Sequence, residues 1–200
     1  MAAFTTGAAQ SDSLIANAHQ IDGGGNHLLP EIDRKQITVA AFLNLFIGWE
    51  AFLEEILSAL LCGAPTLNGN ATNKFASPPD AAAAKSMIVG ANKYFDYGNH
   101  DRVSKIVTLY FAQGAPFHPH IAAIYSELGD LRTMRNASAH ITSTTQSALE
   151  SLAVRLLGQP SPGIELYVLL TASDPNVAGS TIYQTYRDTL LTASGLIANG

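Results

Sequence analysis

Asp33-Arg-Lys-Gln-Ile-Thr-Val-Ala-Ala-Phe42-Leu-Asn-Leu-Phe-Ile-Gly-Trp49-Glu-Ala-Phe-Leu-Glu-Glu-Ile-Leu-Ser-Ala-Leu-Leu-Cys62 is the stretch on which the fold turns. Phe42, Leu45, Phe46, Trp49, Leu53, Ile56, Leu57 and Leu60 recur at spacings of three and four, the period of an α-helix and not the alternation of a half-buried strand. The first half is apolar almost all round, which suits a central helix covered on several sides. The second half carries Glu50, Glu54 and Glu55. These read first as a solvated face; the functional alternative is that Glu50 or Glu54 turns inward to orient an arginine elsewhere. Asp33 starts the helix, and Gly63 stands where a left-handed residue ends one.

Working outward, the chain is punctuated as helices. Ser11 or Asp12 is placed to cap a short segment, Leu14 to Ile21, that ends at Asp22-Gly-Gly-Gly25. After the Gly-, Asn- and Pro-rich loop 63–79, Asp80 caps a run of four alanines whose helix continues through Met87 and Ile88 towards Tyr94. Asp101 can cap a helix from Arg102 to Ala112, stopped by Gly114 and Pro116. Pro119 suits the first turn of the next helix, which runs to near Ile141. Ser143-Thr-Thr-Gln146 has capping-box form and opens a helix through Leu157, terminated by Gly158. Ile164 to Thr171 is an apolar run read as extended, and Asp174-Pro175 begins a last helix with Ile182, Tyr186, Leu190 and Ile197 on its buried side. The expectation is a mainly α-helical bundle of about five to seven helices with one short extended segment near 164–171. Two hundred residues make one domain the default, with an N-terminal helix and Gly-rich loop over 1–34 and a core bundle over 35–199.

Composition narrows the function. With 47% hydrophobic residues the chain can bury a sizeable core, and a formal net charge of -5 argues against a broad basic surface for duplex nucleic acid. A single cysteine, Cys62, excludes an internal disulfide and any Cys-rich metal site, so a reducing cytoplasm is the natural compartment. The N-terminus lacks the basic and apolar regions of a signal peptide, and the run Ile37 to Trp49 is shorter than the ~18 apolar residues of a membrane span. There is no phosphate-binding loop of the G-x-x-x-x-G-K form and no G-x-S-x-G nucleophile elbow. His118-Pro-His120 has the spacing of two metal ligands but no companions, and reads as exposed loop histidines; no metal or cofactor is expected. His19, His27 and His100 stand in turn-like segments with nothing around them to suggest a role.

The remaining chemistry lies in Leu128-Gly-Asp-Leu-Arg132-Thr-Met-Arg135-Asn136-Ala-Ser-Ala-His140. At ~100° per residue, Ile121, Ile124, Leu128 and Leu131 form one apolar stripe, from which Arg135 projects four residues after Leu131. A guanidinium stays charged, and burying it unpaired is expensive, so it needs an anion: a carboxylate such as that of Glu50 or Glu54, or a ligand's phosphate. His140 lies five residues on, rotated by ~140°, with Asn136 on its face at the i, i+4 spacing. The small side chains of Ala137, Ser138 and Ala139 let another backbone or a second helix approach closely.

Arg135-Asn136-Ala-Ser-Ala-His140 resembles the R-x4-H signature of the HEPN superfamily, in which a polar residue such as Asn commonly follows the Arg. Trp49-Glu50-Ala-Phe52-Leu53-Glu54-Glu55 is similar to a segment of HEPN-type domains from RNA-processing and defence systems, as is the Tyr183-x-x-Tyr186-Arg187-Asp188 pattern. The likeness extends over most of residues 35–195, and the hexapeptide is its functional part. It implies a dimeric, metal-independent endoribonuclease of the toxin or defence-effector kind, with two Arg135 and two His140 side chains around one cleft and an antitoxin as a possible partner. RNA carries its own nucleophile, the 2′-hydroxyl, so cleavage needs a base, an acid and positive charge on the phosphorane. By the resemblance His140 serves as base or acid, Arg135 binds phosphate oxygens, and Asn136 orients His140 or bonds the phosphate. Arg132 either extends the phosphate site or is a solvated surface residue. The products are a 2′,3′-cyclic phosphate and a 5′-hydroxyl. HEPN toxins silenced by nucleotidyl transfer carry a tyrosine shortly after the motif His; here Ile141-Thr-Ser-Thr-Thr145 follows instead. The alternatives are a non-catalytic HEPN module that binds nucleotide, RNA or a protein, and an unrelated helical protein in which Arg135 pairs with Glu50 or Glu54.

Overall fold

The structure, a computed structural model, describes residues 1–139 and 142–200. Its helices are α1 (Ala2–Ala18), α2 (Glu31–Cys62), α3 (Ala81–Val89), α4 (His100–Tyr110), α5 (Phe117–Ala123), α6 (Tyr125–Ala139), α7 (Ser143–Leu157), α8 (Leu166–Thr171) and α9 (Ile182–Asn199), with a 3-10 turn at Ala112–Gly114. Among the described residues there is no β-strand, only isolated bridges pairing Ile21 with His27, Lys74 with Phe111 and Ser173 with Thr181. The mainly α expectation holds. No helix among the described residues is long and apolar enough to cross a membrane.

The helix count exceeds the expected one for identifiable reasons. Within the run expected to be extended, Leu166–Thr171 is helical and Glu165 before it has extended backbone: α8 buries Leu166, Leu169 and Leu170, a one-and-a-half-turn pattern that an eight-residue apolar run cannot distinguish from a strand. The helix expected to carry Ile121 through Ile141 is two. Ile124, at φ -117° and ψ 27°, closes α5 before α6 begins. His118 and His120 accordingly lie in α5 and not in a loop.

Several starts are set by capping pairs that a single-residue reading misplaces. Asp80 caps α3 as expected, accepting from Ala83 N at 2.8 Å, but that helix stops at Gly90, short of Tyr94. Asn99 caps α4, its Oδ1 accepting from Arg102 N at 3.3 Å, so Asp101 falls inside the first turn. The α7 capping box is formed by Thr142 and Thr145, one residue from the Ser143–Gln146 reading. A reciprocal pair sets α9: Gln184 Oε1 accepts from Thr181 N at 2.9 Å, and Thr181 Oγ1 accepts from Gln184 N at 3.3 Å. The segment from Asp174 to Ser180 is therefore a loop. The first helix begins nine residues before Ser11, because Phe4, Ala8 and Ser11 repeat with helical period on a buried face. Ser11 and Asp12 are interior to α1, not caps. The expected helix ends at Gly63 and Gly158 are found, both glycines at positive φ, 99° and 73°.

The chain divides into two compact units. One comprises Trp49–Gly129 and Thr189–Gly200 with Met1; Trp49, Leu57, Leu61, Phe111, Phe117 and Ile121 are large, fully buried side chains of it. Within it the Trp49 and Phe52 rings lie 5.7 Å apart, and the Phe111 and Phe117 rings 5.4 Å apart. The other comprises Ala2–Gly48 and Asp130–Asp188, and buries Phe42, Leu45, Leu131, Met134, Leu169 and Leu170. There Gly48 of α2 faces the Phe4 ring, which would stand 3.2 Å from an added Cβ. Gly48 is thus a close-packing point for α1.

Candidate functional site

The candidate site is built on α6. Leu128, Leu131 and Met134 form its buried stripe, Leu131 and Met134 with no measurable exposure. Ile121 lies in α5 and not on this helix. Arg135 keeps the direction of the stripe, ~20° from Leu128 and ~40° from Leu131, but its side chain is exposed. The direction is the expected one; the burial that would have demanded an anion is absent. The Arg135 charge is in water, folding exacts no desolvation for it, and no internal carboxylate is required.

Arg135, Arg132 and Asn136 share one sector of α6, about 100° wide. Arg132 and Asn136 are half-buried. Arg135 Nη1 donates to Asn136 Oδ1 at 3.4 Å, and Ser138 Oγ donates to the Arg135 carbonyl at 2.6 Å, which fixes Ser138 against the helix backbone. His140, the other half of the motif, lies outside the described residues, as does Ile141. Glu54 belongs to the unit formed by 49–129, where its carboxylate pairs with Lys85 Nζ at 2.7 Å. Among the described residues no group of three or more His, Cys, Asp or Glu side chains is arranged to hold a metal ion.

A carboxylate that the sequence reading passed over anchors this helix. Asp130 is 9% exposed; its Oδ1 pairs with Arg155 Nη2 of α7 and its Oδ2 accepts from the Tyr186 hydroxyl of α9 at 2.6 Å. The bond to Asp130 pushes the Arg155 guanidinium further up its already high range. One side chain thus ties α6 to α7 and α9. Sequence offered no signal for it, since an Asp one residue before Leu131 reads as solvated.

Beside the motif, Ala137 and Ser138 line a groove of ≈ 640 Å³ whose other walls include Val39 and Leu43 of α2, Leu149 of α7, and Ile164, Leu166 and Tyr167. The small residues that seemed suited to a close helix approach here open a concave surface. A second cavity, ≈ 390 Å³, lies between α1, α2 and α9 of the same unit, with His19, Tyr183 and the paired Asp12 and Arg187 on its walls. Burial, and then the Asp12 charge, push the Tyr183 hydroxyl well above its ordinary value. His19 is not the isolated turn residue that it looked in sequence. Its Nε2 lies 3.2 Å from Thr38 Oγ1, its ring stacks on Tyr167 at 5.8 Å and 12°, and the His27 ring meets it edge-on at 6.0 Å. Burial, Arg34 and His27 lower its pKa. Likewise His100 opens α4 and packs its ring edge-on against Tyr125 at 4.3 Å.

Comparison with protein-family models, with curated proteins and with solved structures finds no match to this chain.

Proposed function

We propose that the chain is a metal-independent endoribonuclease of HEPN type, acting in the cytoplasm as a toxin or defence effector on single-stranded RNA. The observation that carries the reading is the hexapeptide Arg135-Asn136-Ala-Ser-Ala-His140, supported by an Arg135 that is exposed on one helix sector with Arg132 and Asn136. Cleavage proceeds by attack of the ribose 2′-oxygen on the adjacent phosphorus. One His140 takes the 2′-hydroxyl proton, and a protonated His140 from a second copy gives a proton to the departing 5′-oxygen. Arg135 holds the non-bridging oxygens as negative charge builds on the phosphorane, and Asn136 orients the reacting groups. The products are a 2′,3′-cyclic phosphate and a 5′-hydroxyl. Two motif helices related by a two-fold axis supply the paired residues, so the active form is a homodimer, and an antitoxin would act by covering that cleft.

The net charge of -5 favours a second reading, a HEPN module that binds nucleotide, RNA or a protein partner without cleaving. Incubation of purified protein with labelled single-stranded RNA in EDTA, beside His140→Ala and Arg135→Ala, separates the two. The expected result is cleavage by the unsubstituted chain alone, ending in cyclic phosphate. Equal cleavage by His140→Ala, or cleavage that needs a divalent metal, overturns the ribonuclease reading. A strict monomer at high concentration would remove the composite site.

A further inference from the structure

We propose that α1 and the turn after it form a strap that is fastened at His19 and released by acid. The helix is lightly held along its length. Of its 17 residues the buried ones are Phe4, Ala8, Ser11 and Ala18, among which Phe4 is the one large side chain. Beneath it lies the cavity of ≈ 390 Å³, with Asp12, Ile15 and Ala16 of α1 on one side and Thr38, Leu170 and Tyr183 among the residues opposite. A helix seated over a hollow gives up few apolar contacts when it lifts, so its opening lies at the low end of the free-energy scale for local unfolding. The pair between Asp12 and Arg187 adds what a partly exposed pair can, and Arg187 keeps Asp188 at 2.9 Å if Asp12 leaves.

The fastening is the ring of His19, the first residue after α1. Its Nε2 lies 3.2 Å from Oγ1 of the fully buried Thr38, and its ring stacks on Tyr167 of α8. The turn that follows, closed by Leu28 N on Gln20 O at 2.9 Å and Asp22 N on Asn26 O at 2.8 Å, brings the His27 ring edge-on against it. The charged groups around this cluster favour a neutral imidazole. Arg34 of α2 acts on His19, and the Arg34 Nε is buried without a hydrogen-bond partner. Lys35 Nζ lies 6.0 Å from the centre of the Tyr167 ring on which His19 stacks. The nearby carboxylates are engaged elsewhere: Glu31 and Glu165 with Lys35, Asp12 with Arg187, and Asp22 with the N–H groups of Gly24 and Asn26. A proton on His19 therefore meets Arg34 and, when it too is charged, His27. Burial first, then Arg34 and His27, lower the His19 pKa in the closed strap. Above pH ~6.5 His19 is neutral whether the strap is closed or open, and the fastening is at full strength. As pH falls through ~6.5 towards the lower closed-state value, the open strap takes the proton first and the hold weakens. Lifting exposes the Thr38, Tyr183 and Arg187 side chains that line the hollow.

The test is hydrogen exchange of the full chain at pH 7.5 and 5.5, read by mass spectrometry, with each rate compared with the intrinsic rate of the same peptide at that pH. Protection of residues 2–28 should fall by about twofold or more on acidification, while that of α7 changes less. His19→Gln, which keeps a hydrogen-bonding group for Thr38 but cannot titrate, should flatten the response. Arg34→Gln, which leaves the histidine in place, should shrink it. Asp12→Asn, which weakens the ion pair without touching the histidine, should lower the protection of α1 at both pH values and leave their ratio as in the parent. A ratio unchanged by both His19→Gln and Arg34→Gln, an equal loss of protection in residues 2–28 and in α7, or no loss at pH 5.5 overturns the strap.

Discussion

Replacing Asp130 by Ala removes a carboxylate that holds α6 to both α7 and α9, and its effect can be worked from the two bonds lost. The Tyr186 hydroxyl, on a residue 5% exposed, loses an acceptor at 2.6 Å, which costs about 1–3 kcal/mol when the donor is left buried. The Arg155 side chain is 54% exposed and rehydrates on release, so its share is that of a surface pair, at most about 1 kcal/mol. The total is about 1–4 kcal/mol. For a chain of this length that lowers the melting temperature by roughly 2–16 °C. Asp130→Asn, which still offers one carbonyl oxygen, should lose about half as much. Urea denaturation followed by circular dichroism measures these differences, and a double-mutant cycle with Tyr186→Phe isolates the hydroxyl bond. The coupling should be about 1 kcal/mol or more. If Asp130→Ala lies within about 0.5 kcal/mol of the parent, or if the two substitutions simply add, Asp130 is not the anchor described.

Four further outcomes are expected. Arg135→Ala should leave the urea midpoint unchanged, within about 0.5 kcal/mol, because the side chain is exposed, while RNA cleavage in EDTA disappears; a large loss of stability would show that the arginine serves the fold. Glu54→Gln should change stability by no more than about 1 kcal/mol, as for an exposed pair, and leave cleavage intact, since its partner is Lys85; loss of cleavage would instead tie Glu54 to Arg135. Thr142→Ala opens the α7 capping box and should cost about 1 kcal/mol, read as earlier thermal melting; an unchanged melt would deny the cap any role. His19 has its pKa lowered in the folded chain, so the unfolded chain binds its proton first as pH falls through ~6.5, and stability declines from there towards the lower folded value. His19→Gln should therefore show a smaller drop in urea midpoint between pH 7.5 and 5.5 than the parent, and equal slopes would contradict this.

Much of the architecture was legible because it rests on long periodic segments and on glycine. Thirty-two residues of α2 repeat their apolar positions often enough that no strand fits, and Gly63 and Gly158 mark helix ends that only a positive φ satisfies. What misled was local. Thr181 with Gln184 and Thr142 with Thr145 cap reciprocally, so the side chain three residues inside the helix decides the start as much as the cap itself. The eight residues 164–171 hold too few turns for any period to emerge, and α8 is fixed instead by neighbours: Glu150 accepts from Gly163 N at 2.7 Å and Gln146 donates to the Ile164 carbonyl, which settles the chain before Leu166.

On α6 the sequence offered candidate residues, but not their energetics. Reading Ile121 to Arg135 as one helix placed a charge on an apolar face and made an anion a necessity of folding. Arg135 does point with Leu128 and Leu131, but it lies beyond Met134, the last buried residue in the described part of α6, and its side chain is in water. A guanidinium that folding requires to be paired is usually paired by the protein itself, and its substitution then confounds function with stability. An exposed one is under no such demand. Asp130, five residues earlier on the same helix, carries the structural role instead. The two positions therefore divide the work of α6 in a way that substitution can separate: Asp130→Asn should move stability and leave phosphate recognition in whatever fraction remains folded, whereas Arg135→Ala should abolish recognition in a chain that melts as the parent does.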